Sequence, residues 1–71
     1  MQVEDALSNI ANNLKELRNK KGLTQLEVSH NLNMERRGYQ KIEYNEVKNI
    51  RLSTILKILE YFKIDFNELI K

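Results

Sequence analysis

The 71-residue sequence contains no cysteine, no proline and no tryptophan, and it has only two glycines. The lack of cysteine excludes a disulfide scaffold, a cysteine nucleophile and the usual zinc-finger ligand sets. The scarcity of proline and glycine argues against collagen-like, linker-like and turn-rich β architectures. The longest apolar runs are pairs, whereas a membrane span needs about 20 apolar residues. We therefore expect a cytoplasmic protein without a membrane segment.

Net charge carries little information, but its distribution is uneven. Twelve basic and ten acidic residues give a net charge of only +2, which by itself does not indicate a nucleic-acid partner. Residues 15–51, however, hold nine basic and five acidic side chains, a net of +4. The basic excess therefore lies in the middle of the chain.

Apolar residues recur every three or four positions along most of the chain, which predicts short amphipathic helices and no strand. The first helix is expected to end near 20–22, where two lysines precede a glycine. Thr24 and Glu27 form a capping-box pattern at the start of a second helix that stops near Asn33. A third helix is predicted over 35–43 and a loop over 44–50.

A fourth and a fifth helix complete the predicted fold, a compact all-α domain of five helices. Asp65 and Glu68 are spaced to cap the fifth helix. The buried side of the fourth helix is expected to carry five apolar residues: Leu52, Ile55, Leu56, Leu59 and Phe62.

The second and third helices are joined by only about three residues, 33–35. So short a connection is typical of helix pairs that cross at a steep angle. Such a crossing favours a small residue at the closest approach, and Ser29 is placed for it. Five residues have the apolar or aromatic character needed to pack the pair against the rest: Val28, Leu32, Met34, Tyr39 and Ile42.

The joint spacing of several short motifs resembles the Cro/CI-type helix-turn-helix domains of phage repressors and the related Xre-like bacterial regulators. The matching segments are Leu17-Arg18, Gly22-Leu23-Thr24-Gln25, Val28-Ser29, Leu32-Asn33-Met34, Tyr39, Ile42-Glu43 and 52–69. The resemblance extends over about 7–70. It implies a single lambda-repressor-like DNA-binding domain over 1–71, with a helix-turn-helix core at about 24–44 and a third helix that enters the major groove.

The resemblance also implies roles for individual residues. It implies base reading by the third helix through Arg36, Arg37, Gln40 and Lys41. Arginine can bond guanine and glutamine can bond adenine in a bidentate way, so these residue types suit that role. It implies contact with the DNA backbone by Thr24, Gln25, Tyr44, Asn45, Lys48 and Arg51. It further implies a structural salt bridge between Arg18 and Glu43.

The sequence departs from the family pattern at four positions. Asn33 replaces the usual turn glycine, and Ser29 replaces the usual alanine, so its hydroxyl needs a partner such as the carbonyl four residues back. Glu35 stands where a serine or threonine often caps the third helix, and its charge would repel a nearby phosphate. Gly38 costs that helix about 1 kcal/mol relative to alanine. It either permits close approach to DNA or leaves the helix loose until DNA orders it.

Less specific interpretations apply to several side chains. Arg36 and Arg37 could form a solvated face. Tyr44 could either close the core or donate to a phosphate, and His30 is expected to face solvent. The remaining aromatic residues are expected in the core: Tyr39, Tyr61, Phe62 and Phe66.

No motif for catalysis, for a metal ion, for a cofactor or for a small-molecule effector is found. The sequence therefore predicts a double-stranded DNA-binding protein, a transcriptional regulator of the repressor type that acts as a homodimer. Candidate dimer contacts are Ile64, Phe66 and Ile70. The alternative is a protein-interaction module on the same fold, an antitoxin or an adaptor.

Overall fold

Five α-helices and no strand form the fold in a computed structural model that describes residues 1–71. The helices are α1 (Val3–Lys20), α2 (Gln25–Asn31), α3 (Arg36–Glu43), α4 (Leu52–Phe62) and α5 (Phe66–Ile70). The predicted all-α class with five helices is confirmed, and each boundary lies within about two residues of its expected position. No helix combines the length and the apolar character that crossing a bilayer requires.

Side-chain caps close the starts of α2 and α5 but not those of α3 and α4. Thr24 Oγ1 accepts from the Glu27 N–H at 3.0 Å, and the Glu27 carboxylate accepts from the Thr24 N–H at 2.9 Å. Asp65 and Glu68 form the same reciprocal pair ahead of α5. Both predicted capping boxes are thus present, and each satisfies two N–H groups that a helix start leaves free.

The turn between α2 and α3 is tight because Asn33 adopts a left-handed conformation, with φ of 56°. Asparagine tolerates this region better than most residues. The Met34 N–H donates to the Ser29 carbonyl at 2.8 Å and closes the turn. Ser29 is buried, as a closest-approach residue should be, but its hydroxyl donates to the Leu26 carbonyl at 2.9 Å, three residues back and not four.

The core lies around α1, which packs against both α3 and α5, while α2 packs against α3. Eight residues of the five helices and Leu32, which follows α2, form it: Ile10, Leu14, Val28, Leu32, Tyr39, Ile42, Ile58, Phe62 and Leu69. Two asparagines of α1 hydrogen-bond to the end of α5. Asn9 donates to the Ile70 carbonyl at 2.8 Å, and Asn13 donates to the Leu69 carbonyl at 2.6 Å. These bonds satisfy carbonyls that a helix end leaves free.

The predicted buried side of α4 is wrong in part. Leu52 is 70% exposed and Leu56 is 55% exposed, whereas Ile58 is fully buried next to Phe62. Apolar residues cover more than half of the circumference of this helix, so their spacing alone does not decide which of them are buried. The expectation that Phe66 belongs to the core is also wrong, because Phe66 opens α5 and is 48% exposed.

Candidate nucleic-acid interface

A bidentate ion pair joins α1 to the end of α3. Arg18 Nε donates to Glu43 Oε2 at 2.7 Å, and Arg18 Nη2 donates to Glu43 Oε1 at 3.1 Å. The remaining guanidinium nitrogen donates to the Leu23 carbonyl at 2.9 Å. The Glu43 side chain has no exposed surface. The salt bridge expected from the resemblance is therefore present as a buried, fork-shaped contact.

Glu43 also accepts hydrogen bonds from two neutral side chains, the Gln25 amide at 3.1 Å and the Tyr39 hydroxyl. Burial alone would raise the pKa of Glu43, but the hydrogen bonds from Arg18, Tyr39 and Gln25 outweigh it and lower that pKa. Burial, reinforced by the hydrogen bond to Glu43, raises the pKa of Tyr39. The carboxylate is thus held ionised, with both oxygens bonded.

Gln25 extends this network to the surface. Its amide oxygen accepts from Gln40 Nε2 at 3.0 Å and from the Tyr44 hydroxyl at 3.3 Å. Gln25 and Gln40 are partly buried, while Tyr44 is 53% exposed. The alternative in which Tyr44 closes the core is therefore wrong. A side chain expected at the DNA backbone, Gln25, and one expected at the bases, Gln40, are bonded to each other.

The outer edge of α3 is basic and exposed. It carries Arg36, Arg37 and Lys41. The one salt bridge of the chain is that between Arg18 and Glu43, so no carboxylate neutralises these three cations. The inner face of α3, by contrast, is buried and includes Tyr39. The basic side chains of α3 therefore lie on the side of the helix away from the core, as the sequence predicts.

Two open clefts flank α3. The first, which we call the α1–α3 cleft, has a volume of about 640 Å³, and its lining includes Lys15, Arg18, Thr24, Gln25, Arg36 and Tyr44. The second, the α3–α4 cleft, has a volume of about 390 Å³, and its lining includes Glu35, Gly38, Arg51, Ser53, Thr54 and Lys57. Basic side chains outnumber acidic ones in both. The helix therefore stands as a ridge between two net basic depressions.

The six residues expected at the DNA backbone are not all in one place. Thr24, Gln25 and Tyr44 line the α1–α3 cleft, and Arg51 lines the α3–α4 cleft. Asn45 and Lys48 lie farther along the loop, in a separate depression of about 440 Å³ beside the start of α1. Asn45 adopts a left-handed conformation, with φ of 58°, that turns the chain out of α3.

Two lysines of these clefts were not predicted from the sequence. Lys15 lies one helical turn before Arg18 on α1 and shares the α1–α3 cleft with it. Lys57 on α4 reaches the α3–α4 cleft. The spacing of three residues between Lys15 and Arg18 was a usable signal for the first. Nothing local identifies the second.

No group of three or more His, Asp or Glu side chains is arranged to hold a metal ion, and His30 is exposed.

Comparison with known families fits this geometry. The sequence model of the family described as Helix-turn-helix matches residues 14–69, which is more than half of the chain. The chain belongs to this family. The match confirms the resemblance to Cro/CI-type domains and the lambda-repressor-like fold, and it makes the chain a DNA-binding helix-turn-helix domain of a regulatory family. No curated protein and no solved structure matches the helix-turn-helix chain.

Proposed function

We propose that this helix-turn-helix protein reads specific double-stranded DNA sequences with α3 in the major groove and acts as a transcriptional regulator of the repressor type. The observation that carries the proposal is the basic outer edge of α3 between two net basic clefts. A helix that lies in the major groove has one phosphate strand on each side. The ridge would occupy the groove, and each cleft would face one strand.

The proposed base readers are Arg36, Arg37, Gln40 and Lys41. The two arginines suit guanine and carry no internal ion pair that binding would have to break. Gln40 gives one amide hydrogen to Gln25, which leaves its second amide hydrogen and its carbonyl free. Those two groups are the ones that a bidentate contact with adenine uses, and the bond to Gln25 would hold them in place.

The proposed backbone contacts are Thr24, Gln25, Tyr44, Asn45, Lys48 and Arg51. Such contacts set the register of the protein on the duplex and are insensitive to sequence. Four of the six divide between the two sides of α3, with Thr24, Gln25 and Tyr44 in one cleft and Arg51 in the other, which supports two anchored strands. The role requires no catalysis, no cofactor and no small-molecule effector, and it places the protein in the cytoplasm, where bacterial and phage regulators meet DNA.

We further propose a homodimer on a two-fold operator, with half-sites about one helical turn apart and a single domain over 1–71 in each protomer. Of the expected dimer contacts, Ile64 and Ile70 are partly buried against the core, so Phe66 is the one that offers substantial surface. Leu52 and Leu56 on α4 add exposed apolar surface. Symmetry in the bound DNA sequences would report the dimer.

The decisive experiment is selection of bound duplexes from a random pool, followed by titrations at several salt concentrations. The logarithm of the binding constant should fall linearly with the logarithm of the salt concentration, with a slope of about −0.9 per phosphate neutralised. Arg37→Ala should cost about 1–3 kcal/mol on the selected duplex and relax one position of the sequence, whereas Lys48→Ala should weaken selected and random duplexes alike. Absence of binding at low salt would contradict the proposal and favour the protein-interaction alternative.

A further inference from the structure

Gly38 is the third residue of α3, in its first turn, and it is exposed to solvent. Glycine within a helix is destabilising relative to alanine, because it gives up more backbone freedom on folding and offers no side chain. In a helix of eight residues without a side-chain cap, that penalty falls on an element with little local support. The position therefore calls for a physical explanation.

Neither of the usual internal reasons for glycine applies at Gly38. The other glycine, Gly22, has φ of 66°, a left-handed conformation that side chains rarely adopt, whereas Gly38 lacks a positive φ. A Cβ atom built on Gly38 meets no heavy atom within 4 Å. The backbone conformation and the packing of this protein would both accept a side chain there.

The surroundings of Gly38 supply an external reason. Gly38 lines the α3–α4 cleft together with Arg51 and Lys57, while Arg36 lines the cleft on the other side of the helix. Glu35 is the one acid of the α3–α4 cleft. A side chain at position 38 would project from α3 into the space that a strand entering this cleft must use.

We infer that Gly38 is the point at which one DNA strand comes closest to α3, so that the missing side chain is itself part of the recognition surface. The inference rests on the proposed function and extends it to a position that has no functional group. The sugar–phosphate backbone would lie in the α3–α4 cleft, with Arg51 and Lys57 at the phosphates and the bare Cα of Gly38 against the sugars. Position 38 then limits how deeply α3 enters the groove.

The test separates stability from binding at one position. Gly38→Ala and Gly38→Gln should both raise the melting temperature by about 2–4 °C, because both residues are better helix formers than glycine and a Cβ at this position meets no other atom. Affinity for the tightest duplex recovered from a random pool should nevertheless fall, several-fold for Gly38→Ala and at least tenfold for the larger Gly38→Gln. Asn12→Ala, an exposed substitution in the middle of α1, is the control that should add stability without changing affinity.

The outcomes are distinguishable. If the unsubstituted protein binds and both Gly38 variants bind equally well or more tightly, this inference is overturned while the proposed function stands. The inference is likewise overturned if equal losses of affinity in both variants accompany a lowered melting temperature, since the glycine would then serve the fold. If the unsubstituted protein binds no duplex, the proposed function fails and the inference fails with it.

Discussion

The two helices of the helix-turn-helix pair are supported in opposite ways. α2 begins with a complete capping box, whereas α3 has no side-chain cap, contains a glycine and places two arginines in its first turn. Cations near a helix start oppose its macrodipole, so the local sequence of α3 works against the helix. Its inner face compensates through three buried residues, Tyr39, Ile42 and Glu43. α3 is therefore stabilised by the tertiary contacts of its buried face, and the residues of its outer edge are not needed for the fold.

The largest test of this contrast removes the internal support of α3. Arg18→Met leaves the Glu43 carboxylate buried without its cation, and such losses cost about 3–5 kcal/mol of the free energy of unfolding. Urea denaturation measures it, with Arg18→Lys as a control that keeps the charge but not the two parallel bonds and should lose less. A loss below about 1 kcal/mol in Arg18→Met would mean that α3 does not depend on this pair.

The stability of the protein should depend on pH through the same hydrogen-bond network around Glu43. The pKa of Glu43 is lowered in the folded protein, so its contribution to stability is complete above the ordinary glutamate value of about 4.3 and is lost as the pH falls through the lower folded value. Glu43→Gln should lower the free energy of unfolding near pH 7 by about 1–3 kcal/mol. The free energy of unfolding of this variant should also fall less steeply as the pH is lowered. Urea denaturation at several acidic pH values measures this. An equal loss of stability with falling pH in the two proteins would contradict the prediction.

A smaller effect is expected from α2, where local sequence provides the support. Thr24→Ala removes the capping hydroxyl and should cost about 1 kcal/mol of the free energy of unfolding. Thr24→Ser keeps the hydroxyl and should cost clearly less. If the two variants unfolded at the same denaturant concentration, the capping box would not be what stabilises α2.

The smallest effect on stability is expected from adding to α3 the side-chain cap that α2 already has. Glu35 occupies its N-cap without a side-chain bond, so Glu35→Ser should add about 0.5 kcal/mol or more of stability by capping the helix. It also removes the one acid from the α3–α4 cleft, so DNA affinity should rise at low salt. Glu35→Gln removes the charge without the cap and should raise affinity alone. An unchanged affinity in both would place the DNA strand elsewhere.

Local chemistry explains which parts of the fold could be predicted from the sequence. The capping boxes at Thr24 and Asp65 involve residues three apart, and both were predicted. The buried side of α4 could be predicted only in part, because Leu52 and Leu56 are as apolar as the buried Ile58, and only the contacts with other helices decide between them.

The candidate site divides in the same way. The basic residues of α3 could be assigned to its outer edge from helical spacing and the resemblance. The bond between Gln25 and Gln40 could not, because it joins two helices through side chains 15 positions apart whose rotamers no local pattern specifies. The contribution of Lys57 to the α3–α4 cleft depends on how α4 crosses α3, which is likewise a property of the assembled fold.

The asparagines of α1 that bond the end of α5 affect how the fold is reached during synthesis. Asn9 and Asn13 meet partners 55 to 61 positions later in the chain. Contacts over such separations carry a high loop-closure entropy and form after local ones. On the ribosome, α1 therefore waits with part of its surface uncovered until residues 66–71 have left the exit tunnel. We expect this part of the domain to close only after α5 has been synthesised, because Asn9 and Asn13 have their partners there.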